Sequence, residues 1–83
     1  MTREVRATAT AARALAALPA DVRRRVLAAA TDLAADPLAG KPLKGALAGL
    51  RSLRIGQFRI VCSVEKKRVL IRAVGHRRDI YRS

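Results

Sequence analysis

Between Leu50 and Val64 the chain reads LRSLRIGQFRIVCSV, two short apolar-alternating runs that meet at Gly56-Gln57, and this stretch constrains the fold more than any other. Successive side chains of a strand point to opposite sides of a sheet, so parity sorts them. Phe58, Ile60, Cys62 and Val64 share one side, expected to be the core, which leaves Arg59, Val61 and Ser63 on the other. In the first run Leu53 and Ile55 form the apolar set, with Ser52 and Arg54 opposite and Arg51 on the core parity near the strand's start, a rim position. Glycine at the join supplies the positive φ that a tight hairpin turn needs. The segment is therefore expected to be a β-hairpin with an arginine-bearing face.

The flanking sequence fills in the other elements. Residues 3–8, REVRAT, alternate as a short strand with Val5 and Ala7 inward. Thr8 and Thr10 supply capping chemistry before AARALAAL, where Ala11, Ala14, Leu15 and Leu18 recur at helical spacing. Pro19 opens a second helix whose stripe is Val22, Val26, Ala29 or Ala30, and Leu33, with Arg23, Arg24 and Asp32 largely outside it. That helix should stop near Asp36, because the residue before Pro37 is pushed out of helical geometry. Residues 37–49, with two prolines and three glycines, read as an ordered loop with a turn of helix, carrying Lys41 and Lys44. After the hairpin, Glu65 to Arg68 form a charged turn, and residues 69–74 a last strand with Val69, Ile71 and Ala73 inward and Leu70, Arg72 and Val74 outward. The expected class is α+β: a small antiparallel sheet with two N-terminal helices packed on one face, in the order β-α-α-β-β-β.

Eighty-three residues suffice for one domain, 1–83, whose single core is thermodynamically marginal without help from a partner. One cysteine, at core parity, excludes an internal disulfide and any multi-cysteine metal site, which fits a reducing cytoplasm. No stretch approaches the roughly 18 apolar residues of a membrane span, and the N-terminus lacks a signal peptide's apolar region, so a soluble cytoplasmic protein is expected. Charge is lopsided: residues 1–40 hold six bases and four acids, residues 41–83 twelve bases and two acids. Such asymmetry predicts a polyanionic partner for the C-terminal half, nucleic acid or an acidic protein. With Phe58 and Tyr81 the only aromatics, a base-stacking platform is not expected and contact with nucleic acid should run mainly through phosphate.

If the parities hold, Arg54, Arg59 and Arg72 share the sheet face that the helices leave uncovered, with Val61, Leu70 and Val74 beside them. Close like charges repel by a few kcal/mol at surface-like dielectric (roughly, at ~4 Å), and a phosphate is the natural anion to sit between them. The apolar neighbours suit a partner's side chains. The tail, GHRRDIYRS, adds His76, Arg77, Arg78, Tyr81 and Arg82, able to fold back over the sheet's edge.

GKPLKGALAGL, then LRSLRIGQFRIVCSV, then VGHRRDIYR, preceded by the LPxxVR opening of the second helix, resemble in order and spacing the RelE branch of the RelE/ParE toxin superfamily. The similarity runs nearly end to end. It implies the toxin of a type II toxin–antitoxin pair, a RelE-like endoribonuclease that cuts mRNA in the ribosomal A site without a metal or other cofactor. It also implies an acidic RelB-like antitoxin as partner and operator DNA reached through that antitoxin. By the same resemblance, Arg59 matches the family's strand arginine at the scissile phosphate, Arg77 the arginine after the G-[HK] pair, and Tyr81 the C-terminal tyrosine proposed as general base in some members. The sequence departs from the family in two places. Leu50, Arg51 and Ser52 stand where an aromatic or basic pair often precedes the L-R-x-G segment, leaving Arg51, Arg54 or Lys44 to supply the second cation. The tail also lacks the two-residue spacer that some active members have between that arginine and the tyrosine.

The chemistry agrees with this inventory. Attack of a ribose 2′-OH on its own phosphate needs a base, stabilisation of the added charge, and a proton for the leaving 5′-oxygen. Arg59 and Arg54 suit the charge-stabilising task, with Arg77 and Tyr81 completing the candidate catalytic set and Lys41, Lys44, Arg51, Arg72 and Arg78 the candidate RNA contacts. Surrounding cations favour tyrosinate and lower its pKa from about 10, making Tyr81 either a base or simply a terminal aromatic anchor. His76 is an acid or base, or caps a strand end. Lys66, Lys67 and Arg68 form a solvated turn or touch RNA electrostatically. Two rivals stand beside the nuclease: a ParE-like inhibitor of DNA gyrase, and a non-catalytic basic module that binds antitoxin and operator DNA.

Overall fold

A computed structural model of the chain describes residues 3–36, 38, 40–42 and 49–76. Strand β1 (Glu4–Ala7) leads into helices α1 (Ala9–Ala16) and α2 (Ala20–Ala35), followed by strands β2 (Lys41–Pro42), β3 (Leu50–Ile55), β4 (Phe58–Val64) and β5 (Arg68–His76). The strands form one sheet in the order β1-β5-β4-β3-β2. The α+β class and both helices are as the sequence predicts. The sheet is mixed where an antiparallel one is expected, because β1 joins it parallel to β5, and two residues of the long loop pair with β3 as an added edge strand. The two helices carry the chain from β1 at one edge of the sheet to β2 at the other.

Local chemistry fixes the helix ends. Thr8 Oγ1 accepts from the Ala11 N–H at 3.1 Å and caps α1. At the other end, Arg23 Nη1 donates to the carbonyls of Ala16 and Leu18, where orphan C=O groups and the negative end of the helix dipole favour a cation. Helix α2 ends at Asp36, which is extended (φ −135°, ψ 97°), as the following proline demands.

Both helices lie on one face of the sheet. Ala11 and Leu15 of α1 and Val26, Ala30, Leu33 and Ala34 of α2 are buried against Ile55, Ile60, Cys62, Val69 and Ile71. The alanines bring the helices close to the strands, and Val5, Ala7, Leu53, Val64 and Val74 complete the layer. Phe58 shares the core parity but is only half-buried at the sheet's end, its ring edge-on to His76 with centroids 6.3 Å apart.

Strict alternation fails in β5. Ile71 pairs with Cys62 and Ala73 with Val61, so Arg72 is an extra residue, a β-bulge. Beyond it the facing reverses: Val74, expected outward, is opposite Ile60 in the core layer, whereas Ala73, expected inward, faces away from the helices beside Val61. The carbonyl of the extra residue is taken by Thr8 Oγ1 at 3.4 Å, while the Thr8 N–H bonds the Ile71 carbonyl at 3.0 Å. One threonine thus ends β1, starts α1 and ties down the bulge.

Candidate functional site

The candidate site lies on the face away from the helices, at the end marked by the β3–β4 turn. Gly56 takes the left-handed conformation there (φ +58°), which closes the hairpin in the register Arg54 opposite Arg59 and Ile55 opposite Phe58. Arg54 and Arg59 are therefore cross-strand partners projecting to one side. Like charges placed directly opposite cost the sheet some tenths of a kcal/mol (roughly), which an anion between them would recover. Arg54 is exposed and its Nε donates to the Gly56 carbonyl at 3.4 Å, while Arg59 is half-buried.

Lys41 joins this corner from β2: it is exposed, and its register partner is Ser52, two residues before Arg54 on β3. With strands about 4.8 Å apart and about 3.4 Å per residue along them, Lys41 lies on the same face about 8 Å from Arg54 and about 12 Å from Arg59.

Arg72 does not belong to that corner. Its Nε donates to Ser63 Oγ at 3.1 Å, and Ser63 lies four residues along β4 from Arg59, about 13 Å away. Ser63 Oγ in turn donates to Glu65 Oε2 (3.4 Å), and Arg68 Nε donates to Glu65 Oε1 (2.7 Å). The hydrogen bond from Arg68, aided by the charges of Arg68 and Arg72 and the Ser63 hydroxyl, holds the Glu65 carboxyl below its ordinary range. Nearby on β1, Arg6 is ion-paired with Glu4 at 2.7 Å. One end of the face is thus a network that partly neutralises itself, the other a concentration of cations. The sequence signal for the network is Glu65 three residues before Arg68 across a turn, with Ser63 on the matching parity.

Arg51 is on the core parity, opposite Cys62, and its Nη1 donates to the Gly40 carbonyl at 2.7 Å. It therefore points away from Arg54 and Arg59. The face between the two ends is not open apolar surface either: the cross-strand partners Val61 and Ser52 are each only 4 % exposed, Val74 faces the core, and Leu70 is half-buried. Lys44, Arg77, Arg78 and Tyr81 lie outside the described residues, as does most of the loop expected to contain a turn of helix. His76, the last described residue, is opposite Phe58, so the chain leaves the described structure at the end of the sheet that carries Arg54 and Arg59. Among the described residues no three His, Cys, Asp or Glu side chains gather as a metal site, and no helix is long and apolar enough to cross a membrane.

Residues 5–81 match the family model of the ParE toxin of the type II toxin–antitoxin system parDE. The chain is 43% identical over 82 residues to Toxin RelG of Mycobacterium tuberculosis, covering 94% of each protein. It is also similar to a chain in the crystal structure of the toxin–antitoxin complex RelBE2 from Mycobacterium tuberculosis, at 38% identity and a TM-score of 0.81 over 95% of both chains. A chain in the archaeal RelE–RelB complex from Pyrococcus horikoshii matches over 100% of both chains, at 26% identity and a TM-score of 0.74.

Proposed function

Since the chain belongs to the RelE/ParE superfamily, the toxins of type II toxin–antitoxin systems, we propose that it acts as a RelE-type endoribonuclease, cutting mRNA in the ribosomal A site and so arresting translation. The observation that carries this reading is the Arg54–Arg59 cross-strand pair on the face away from the helices. In this reading the whole chain, 1–83, is one cytoplasmic catalytic domain needing no metal. Its affinity for an acidic RelB-like antitoxin follows from the same cations, and operator DNA is reached through that antitoxin.

The reaction is transesterification. The 2′-oxygen attacks the adjacent phosphorus while the P–O5′ bond breaks, giving a 2′,3′-cyclic phosphate and a 5′-hydroxyl. The 2′-OH proton goes to a base, the role assigned to Tyr81, and the leaving 5′-oxygen takes its proton from water, so that no net proton is gained or lost. Arg59 and Arg54, with Arg77, hold the negative charge that builds on the non-bridging oxygens, where fixed guanidinium donors form short, charge-assisted bonds. Lys41, Lys44, Arg72 and Arg78 contact flanking phosphates.

Removing one such charge-stabilising donor costs on the order of 10²-fold or more in rate. Arg59→Ala is therefore expected to lose growth arrest on induction while keeping the fold. An Arg59→Ala chain that stops growth as strongly as the parent sinks the assignment. Mapping 5′ ends on a translated message, with and without ribosomes, tests the reaction itself.

A second reading is favoured by one observation, the match to the ParE family model. Under it the chain inhibits DNA gyrase and cuts no RNA. A supercoiling assay run beside the cleavage mapping separates the two.

A further inference from the structure

The cation Lys41 is displayed by the shortest of the described strands. β2 is two residues long and forms the edge of the sheet, and one of the two, Pro42, has no N–H to give to the ladder. What fastens it lies on the other side. Arg51 Nη1 donates a charge-assisted bond to the carbonyl of Gly40, the residue before β2, at 2.7 Å. Gly40 is buried, and a Cβ there would lie 3.1 Å from Arg51 Cβ and 3.3 Å from Leu33 Cδ1, so any larger residue makes these neighbours give by a few tenths of an ångström (roughly).

We propose that Arg51 is a positioning residue for the cationic corner: by fastening Gly40 from the core side it fixes β2, and with it Lys41, on the face that carries Arg54 and Arg59. The inference rests on the RNA-binding reading of that face. It assigns Arg51 no contact with RNA, and it makes Gly40 and Arg51 one unit with Lys41.

The test is binding of a short, uncleavable 2′-O-methyl single-stranded RNA to the full chain across a salt series. Each phosphate contact on a single strand contributes about 0.7 to the slope of log affinity against log salt. Lys41→Ala should flatten the slope by about that amount, and Arg51→Met by the same amount. The double variant should lose no more than either alone, because coupled residues are not additive. Gly40→Ala keeps the guanidinium but crowds Arg51 and Leu33, and should reproduce the loss, which decides the matter should Arg51→Met not fold. In Arg51→Met, hydrogen exchange should quicken at the Lys41 amide while those of Ile60 and Cys62 stay protected, a local release that general destabilisation would not give. Additive losses in the double variant would make Arg51 a direct contact and overturn the proposal, as would unchanged Lys41 exchange. Should Arg59→Ala flatten the slope while Lys41→Ala does not, this inference alone fails. Should neither do so, the RNA-binding reading fails and takes the inference with it.

Discussion

At the scale of single residues, burial and pairing separate side chains that look alike in the sequence. Cys62 is fully buried between the helices and the sheet, and that burial pushes its thiol up to about 11. The thiol is therefore neutral and inert in the native chain. Because the folded state keeps its proton longer than the unfolded one, whose thiol titrates near the ordinary value, stability is full below that value and falls as pH rises towards 11. The urea midpoint of the parent should drop more steeply from pH 9 to pH 11 than that of Cys62→Ala, the difference isolating this group from the lysines. Equal slopes would place the thiol in solvent. Among the arginines the pairings differ: Arg6 and Arg68 are matched with carboxylates, Arg23, Arg51 and Arg54 with backbone carbonyls, and Arg54 also stands across from another cation.

At the scale of elements, the hairpin and the bulge decide what reaches the site. Gly56 sits at φ +58° with nothing within 4 Å of where a Cβ would be, so any cost of substitution is conformational rather than steric crowding by neighbours. Gly56→Ala should lower stability by about 1 kcal/mol, with Gly56→Asn losing less, since asparagine tolerates the left-handed region better. Chemical denaturation of the two variants checks the order. Alternation predicts the two strands of the hairpin correctly because both are continuous runs. The last strand escapes the same rule because a bulge leaves no mark in a pattern of hydrophobicity. Its support, the Thr8 hydroxyl on the Arg72 carbonyl, comes from 64 residues away. The two-residue β2 is invisible for a similar reason, since Lys41-Pro42 has no periodicity and pairs only because β3 offers it an edge.

At the scale of the whole molecule the dominant fact is charge. A net +12 on 83 residues disfavours compaction through self-repulsion, and two of the described acids, Glu4 and Glu65, are already taken up at one end of the sheet. In the proposed reading an anionic partner binds at the end of the face that carries Arg54 and Arg59. The acidic antitoxin proposed above should be partly disordered alone and should raise the chain's unfolding temperature when bound. Its affinity should weaken as salt is raised through the physiological range. Titration calorimetry at low and high salt tests this, and affinity indifferent to salt would remove the electrostatic account of the complex.

What the sequence determined by itself is whatever repeats locally: the helical stripes, the capping threonine, the hairpin and its facing, and the excess of positive charge in the second half of the chain. These follow from a few residues acting on their neighbours, so one dimension suffices to read them. Which arginines stand together was decided only in three dimensions. Parity places Arg54, Arg59 and Arg72 on one side of a sheet, but register and a bulge put the first two opposite each other and send the third to Ser63. The same holds for Arg51, whose partner is a loop carbonyl 11 residues away. Pairing across strands depends on distances between residues remote in the chain, and no local pattern carries that information.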